Sequence, residues 1–175
     1  DCAGLETPIK ALETMERGIV HQSSSESCPH ARKSILANHQ PQHLCRDLTE
    51  RDNSKMPQVD LYIAGFPCQP FSSAGLKLGF DDPKNGHVFK GIADYVNSTL
   101  PTVFILENVN YLCSHDDGET LETIKEKLNS SQKYNLYDKV MNTEDHGIPQ
   151  HRKRLYICAI LEEKDTGGFE WPQPI

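Results

Sequence analysis

Apolar residues along the chain fall into short β-rich runs separated by segments of helical spacing, the pattern of strands joined by crossover helices. Residues 59–64, apolar but for Asp60, and 103–106, apolar throughout, are as expected of strands covered on both faces of a sheet. Residues 18–21, 43–46 and 155–160 are weaker strand candidates. A first helix is predicted after Thr7-Pro8, where a capping hydroxyl precedes proline in the first turn and Ile9, Leu12 and Met15 recur on one face. Further helices are predicted over 29–37, 88–96 and 121–128. Val88, Ile92 and Val96, and likewise Leu121, Ile124 and Leu128, form core-facing stripes. The expected fold is α/β, a doubly wound and mostly parallel sheet.

Chain breakers gather at the ends of the apolar runs. Gly65-Phe66-Pro67 follows one strand, Asn108 follows another, and Gly147-Ile148-Pro149 precedes the last. In open α/β sheets, sites form beyond the carboxyl ends of strands, so chemistry is expected there.

With 175 residues and 37% hydrophobic composition, the chain suits one domain over 1–175. Asp1-Cys2-Ala3-Gly4 reads as the exit of a strand whose earlier residues are absent, and Trp171-Pro172-Gln173-Pro174 as the start of a linker, so a fragment is expected. No apolar run approaches the roughly 18 residues of a membrane span, and residues 1–10 lack the order of a signal peptide. An intracellular protein is expected, in the nucleus of a eukaryote or the cytoplasm of a bacterium. The six cysteines include no Cys-x-x-Cys pair, which argues for reduced thiols over a zinc ribbon or disulfide framework. No metal is expected from His39 and His43, and Asn97-Ser98-Thr99 and Asn129-Ser130-Ser131 read as chance glycosylation triplets. The net charge of −7 means that a nucleic-acid partner needs a local basic patch or a second module.

The most informative segment is Gly65-Phe66-Pro67-Cys68-Gln69-Pro70-Phe71-Ser72, which holds a cysteine between prolines directly after a predicted strand. It resembles the nucleophile motif of the cytosine-C5 methyltransferases, a family that mostly modifies DNA. Glu107-Asn108-Val109 resembles the family's Glu-Asn-Val motif, and Gly147-Ile148-Pro149-Gln150-His151-Arg152-Lys153-Arg154 its Gly-x-Pro-Gln-x-Arg-x-Arg motif. Ala3-Gly4-Leu5 is similar to the glycine-rich turn after the first strand. The motifs fall in family order and cover nearly the whole chain. Two departures stand out: Glu6-Thr7 replaces further glycines, and Asp82-Pro83-Lys84 stands where Asp-x-Arg is usual.

The resemblance implies methyl transfer from S-adenosylmethionine to C5 of cytosine in DNA, with Cys68 adding to C6 of a base turned out of its helix. Glu107 would hold N3 and the exocyclic amine, with its acidity weakened by burial, and Arg154 and Arg152 would contact the base carbonyl or a phosphate. Alternate residues on a strand point one way, so the two arginines can act together. By the same resemblance, Ala3, Gly4, Leu5, Glu26, Asp47, Leu48, Gly65, Pro67 and Val88 would contact the cofactor. Gln69, Ser72, Asn108 and Gln150 would contact the substrate. A target-recognition domain beyond residue 175, or a second chain, is expected to complete the enzyme. Other readings are a tRNA methyltransferase, a degenerate binding module of the same fold, or a thiol hydrolase pairing Cys68 with His87, His146 or His151.

Overall fold

The structure, a computed structural model, describes residues 1–16, 18–67 and 86–175. Its helices are α1 (Thr7–Thr14), α2 (Pro29–Asn38), α3 (Gly86–Thr99) and α4 (Glu119–Leu128). Its strands are β1 (Ser23–Ser25), β2 (His43–Cys45), β3 (Leu61–Gly65), β4 (Val103–Val109), β5 (Tyr134–Asn142) and β6 (Lys153–Leu161). β1 and β2 form a parallel pair, and the other strands form a sheet ordered β3-β4-β6-β5. Residues 1–3 connect the two. Ala3 N–H donates to the Ser25 carbonyl at 3.1 Å, Gly65 N–H donates to the Asp1 carbonyl at 3.4 Å, and the Asp1 nitrogen donates to Ile63 at 2.6 Å.

Within the four-stranded sheet only β3 and β4 pair in parallel, whereas β6 runs antiparallel to both β4 and β5. Only β6 is reversed, and β5 runs in the same direction as β3 and β4, so the sheet keeps the mostly parallel character expected of it. This reversal matters for the site, because it brings the start of β6 beside the end of β4.

The alternation of β3, β4 and β6 buries Tyr62, Ala64, Phe104, Leu106, Leu155, Ile157 and Ala159 together with Phe89, Ile92, Tyr95 and Val96 of α3 and Ile124 and Leu128 of α4. Each fully buried large apolar side chain contributes about 1.5–3 kcal/mol relative to exposure, so these two stripes anchor the helices to one face of the sheet. α1 behaves differently: none of its residues is buried, and Met15 lies beyond its end on the surface. Thr7 is its first residue rather than its cap, since Glu6 holds the cap position with no side-chain capping bond.

The strand expected at 18–21 lies instead at Ser23–Ser25. Three serines carry no apolar signal, yet Ser24 and Ser25 are buried because their hydroxyls have partners: Ser24 donates to the Glu6 carboxylate, and Ser25 accepts from Arg51 at 2.9 Å. β5 was not expected at all. It is an edge strand whose exposed and half-buried residues blur the alternation, and the tail that follows β6 runs back along it. Asp165 accepts from Tyr137 Oη at 2.6 Å, while Phe169 packs on Tyr137 and Trp171 on Phe169 at ring separations of 4.8 and 5.1 Å.

Both asparagines of the glycosylation-like triplets have structural work. Asn97 donates to the carbonyls of Ala93 and Lys127, and Asn129 donates to the Tyr134 carbonyl while accepting from the Lys133 and Tyr134 N–H groups. No helix among the described residues is long and apolar enough to cross a membrane. The five described cysteines are free thiols, and the described residues hold no group suited to a metal ion.

Candidate active site

The parallel strands end at one edge of the sheet, where Gly65, Glu107 and Arg154 lie among the expected site residues. Gly65 closes β3 and lies in register with Glu107 of β4. A Cβ built on Gly65 would sit 3.5 Å from Glu107 Oε2, so the carboxylate lies against the end of β3. On the other side, Tyr156 is in register with Glu107, and Arg154 with Val109. Alternation then puts Arg154 on the same face, where its Nε donates to Glu107 Oε1 at 2.9 Å.

Glu107 keeps 34% of its side-chain exposure, so the expectation of an acid sunk in apolar surroundings is corrected. The apolar run before it belongs to the strand interior. The carboxylate itself emerges at the strand end, where the guanidinium meets it. Tyr156, which sequence reasoning did not single out, completes this cluster; burial pushes its phenol up, with Glu107 adding to the effect and the two arginines opposing it. Its only sequence signal is its place two residues after Arg154 on an alternating strand.

Asn108 points to the opposite face and is 3% exposed. Its Nδ2 donates to the Phe66 carbonyl at 3.2 Å and its Oδ1 accepts from Val109 N–H at 2.8 Å. It thus ties the end of β4 to the backbone two residues before Cys68. Phe66 is buried against Phe89 of α3, at a ring separation of 5.4 Å, which fixes the entry to that segment a second time. Pro67 is half-buried; Cys68, Gln69 and Ser72, with Asp82-Pro83-Lys84, lie outside the described residues.

The turn before β6 is held by its own backbone. Gly147 adopts φ 76, a left-handed conformation that suits glycine, and Ile148 N–H donates to Thr143 at 3.2 Å. Asn142 Oδ1 accepts from Arg152 N–H at 2.9 Å, and His151 Nδ1 meets Glu144 Oε2 at 2.8 Å, the contact that chiefly draws the Glu144 carboxyl below its ordinary range. Gln150 and Arg152 are exposed at the rim, with the charge of Arg152 felt at Tyr156.

The expected cofactor residues occupy the ends of the neighbouring strands. Gly4 has φ 55, and a Cβ there would meet no atom within 4 Å, so open space adjoins the turn. Leu5 is 66% exposed beside it. Glu26, just past β1, accepts from Gly4 N–H at 2.7 Å and from Cys28 N–H at 2.8 Å, and so braces the turn against the start of α2. Asp47, past β2, accepts from the N–H and hydroxyl of Thr49. Leu48 is buried against Gly91 of α3, and Val88 packs partly buried against the core. Glu6 takes φ 59 where glycine would be unstrained. Its buried carboxylate accepts from Ser24 and stands 3.6 Å from His21 Nε2, a local compensation for that conformation.

This open turn with an acid at each of the next two strand ends fits a nucleoside cofactor. The edge as a whole sets an acid and a guanidinium beside the entry to the cysteine segment. Of the histidines weighed as partners for Cys68, His87 and His151 are exposed and His146 is half-buried.

The C-5 cytosine-specific DNA methylase family model matches residues 2–175. The Type II methyltransferase M.NlaX of Neisseria lactamica is 41% identical over 152 residues, 87% of this chain and 47% of that protein. M.HaeII of Haemophilus aegyptius is 45% identical over 129 residues, 74% of this chain and 39% of that protein. The chain thus spans about half the length, or less, of these relatives. Among solved structures, the Dnmt2 methyltransferase of S. pombe superposes with a TM-score of 0.68 at 20% identity, covering 97% of this chain and 49% of its own. Spodoptera frugiperda DNMT2 gives 0.71 at 17% identity, with 97% and 51% covered, and both likenesses concern the fold. With its motifs in order and its length matched by the family model, the chain belongs to the C-5 cytosine-specific DNA methylases.

Proposed function

We propose that the chain carries the catalytic half of an enzyme that methylates C5 of cytosine in DNA, with Cys68 as nucleophile. The observation that carries this reading is the Glu107–Arg154 pair at 2.9 Å, lying against Gly65 at the strand end from which the chain runs into Cys68. An acid and a guanidinium side by side match the ring nitrogen, amine and carbonyl edge of a cytosine.

In the proposed sequence, the Cys68 thiolate forms a bond to C6 and the displaced π-electrons move into the ring. Glu107 in its protonated form donates to N3, offsetting the negative charge that develops there, while its other oxygen accepts from the exocyclic amine, and Arg154 donates to the carbonyl oxygen. When bound, S-adenosylmethionine would supply the electrophilic methyl group that the activated C5 takes up, with S-adenosylhomocysteine as the leaving group. A base, hydroxide or water, then takes the C5 proton, and the electrons of that C–H bond re-form the C5–C6 double bond and expel the thiolate. Gly4 and Leu5 would receive the cofactor, Glu26 would accept from ribose hydroxyls, and Asp47 and Leu48 would meet the adenine. Val88 and the backbone of Gly65 and Pro67 would close that pocket. Gln69, Ser72 and Gln150 complete the proposed substrate contacts, and Asn108 acts through its grip on the Phe66 backbone rather than by touching the base. Target recognition falls to a further segment or second chain.

The test is release of tritium from [5-³H]cytosine in DNA and in tRNA, with S-adenosylmethionine present. Release from DNA that disappears in Cys68→Ser supports the proposal. Release from tRNA alone would reassign the substrate, and cofactor binding without release from either, with the target-recognition part supplied, would make the chain a binding module.

A further inference from the structure

The loop after β2 contains a buried ion pair that the chemistry above does not use. Arg51 Nη1 and Nη2 donate to the two carboxylate oxygens of Asp1 at 2.8 and 2.7 Å. The two side chains are 4% and 2% exposed. The same guanidinium donates to Ser25 Oγ and to Asn53 Oδ1, both at 2.9 Å, and lies 5.0 Å from the centre of the Tyr95 ring. Tyr62 Oη donates to Asp1 Oδ2 at 2.5 Å, and burial holds that phenol in its protonated, donating form.

Each partner adjoins one of the proposed cofactor contacts. Asp1 leads into Ala3-Gly4, Ser25 directly precedes Glu26, and Arg51 lies in the loop that begins with Asp47. Tyr62 sits on the strand that ends at Gly65. The loop itself is pinned to α3, where Asn53 Nδ2 donates to the Gly91 carbonyl at 3.2 Å and Leu48 packs on the same glycine. A buried ion pair is a poor source of net stability, because apolar replacements of similar volume are often as stable. What a planar bidentate pair supplies is direction, since both partners must keep their orientation to keep both bonds.

We propose that Arg51 is a positioning residue for cofactor binding, fixing the Ala3-Gly4 turn relative to Glu26 and Asp47 through its two bonds to Asp1. The inference rests on the reading of this strand edge as the S-adenosylmethionine site.

Titration calorimetry with S-adenosylhomocysteine, alongside thermal unfolding, tests it on three proteins: the chain, Arg51→Lys, and the apolar variant Asp1→Leu/Arg51→Met/Tyr62→Phe. The apolar variant replaces the three members that bond to one another, leaving Ser25 and Asn53 one partner short, and is expected to keep its cooperative unfolding. It should bind about tenfold more weakly or worse, the scale on which loss of residues that orient ligand contacts is felt. Arg51→Lys, which keeps the charge and loses the fork, should also weaken binding. A folded apolar variant that binds within twofold of the unaltered chain would overturn the positioning role and leave the cofactor site standing. If that variant fails to fold, Arg51→Lys decides: undiminished affinity overturns the role, and weakened affinity at undiminished melting temperature supports it. Absence of binding by the unaltered chain would remove the cofactor reading and this inference together.

Discussion

Asn108→Ala separates the site's support from its chemistry. The native amide satisfies two backbone groups, the Phe66 carbonyl at 3.2 Å and the Val109 N–H at 2.8 Å, in a position that is 3% exposed. Alanine takes that partner from both groups, the first bond buried and the second part-buried, at up to about 1–3 kcal/mol each. Some relaxation is expected, so the loss of folding stability should be about 2–4 kcal/mol in urea unfolding. The same change releases the backbone leading into Cys68, so formation of a covalent adduct with fluorocytosine DNA should slow about tenfold or more, as misplacement of a reacting group does. Asn129→Ala is the control. It also removes bonds to backbone groups, those of Lys133 and Tyr134, far along the chain from the cysteine segment. It should lower stability and leave the adduct rate unchanged. A stability loss below about 1 kcal/mol for Asn108→Ala, or equal slowing in both variants, would refute the reasoning.

Glu107→Gln keeps the shape of the side chain and removes its charge and acid function, so adduct formation should slow about a hundredfold in rapid-quench assays. Gly91→Ala would bring a Cβ within 2.5 Å of Leu48 Cδ1; the overpacking costs about 1–3 kcal/mol, and Leu48→Ala in the same chain should restore much of the melting temperature. Burial holds His21 below the ordinary imidazole pKa, outweighing the opposite pull of Glu6 and joined by the charge of His39. The unfolded chain therefore takes up this proton first as pH falls. Stability should be full above the ordinary histidine range and decline below it, and His21→Gln should flatten that decline in urea titrations across pH.

Much of this fold is readable from residue pattern. The four helices carry their stripes or proline starts in the expected places, and the apolar runs of β3, β4 and β6 mark three of the sheet's four strands. β1 escaped notice because buried serines are paid for by specific partners, Glu6 and Arg51, which no local pattern reveals. β5 escaped because an edge strand alternates weakly, and its antiparallel pairing with β6 depends on contacts distant in sequence. For the site, motif spacing located Glu107 and Arg154, but their pairing follows from β6 reversing direction beside β4. Arg51 and Tyr156 act through tertiary partners, so single-residue reasoning had nothing to find. Asn108 was expected at the substrate; its described bonds are to the protein's own backbone.

The central claim is that one sulfur atom bonds to the pyrimidine ring. The chain should be incubated with 5-fluorocytosine DNA and S-adenosylmethionine, digested, and the modified peptide sequenced by mass spectrometry. The account predicts a nucleotide adduct on Cys68, lost in Cys68→Ser. An adduct on another of the six cysteines, or undiminished tritium release by Cys68→Ser, would contradict it.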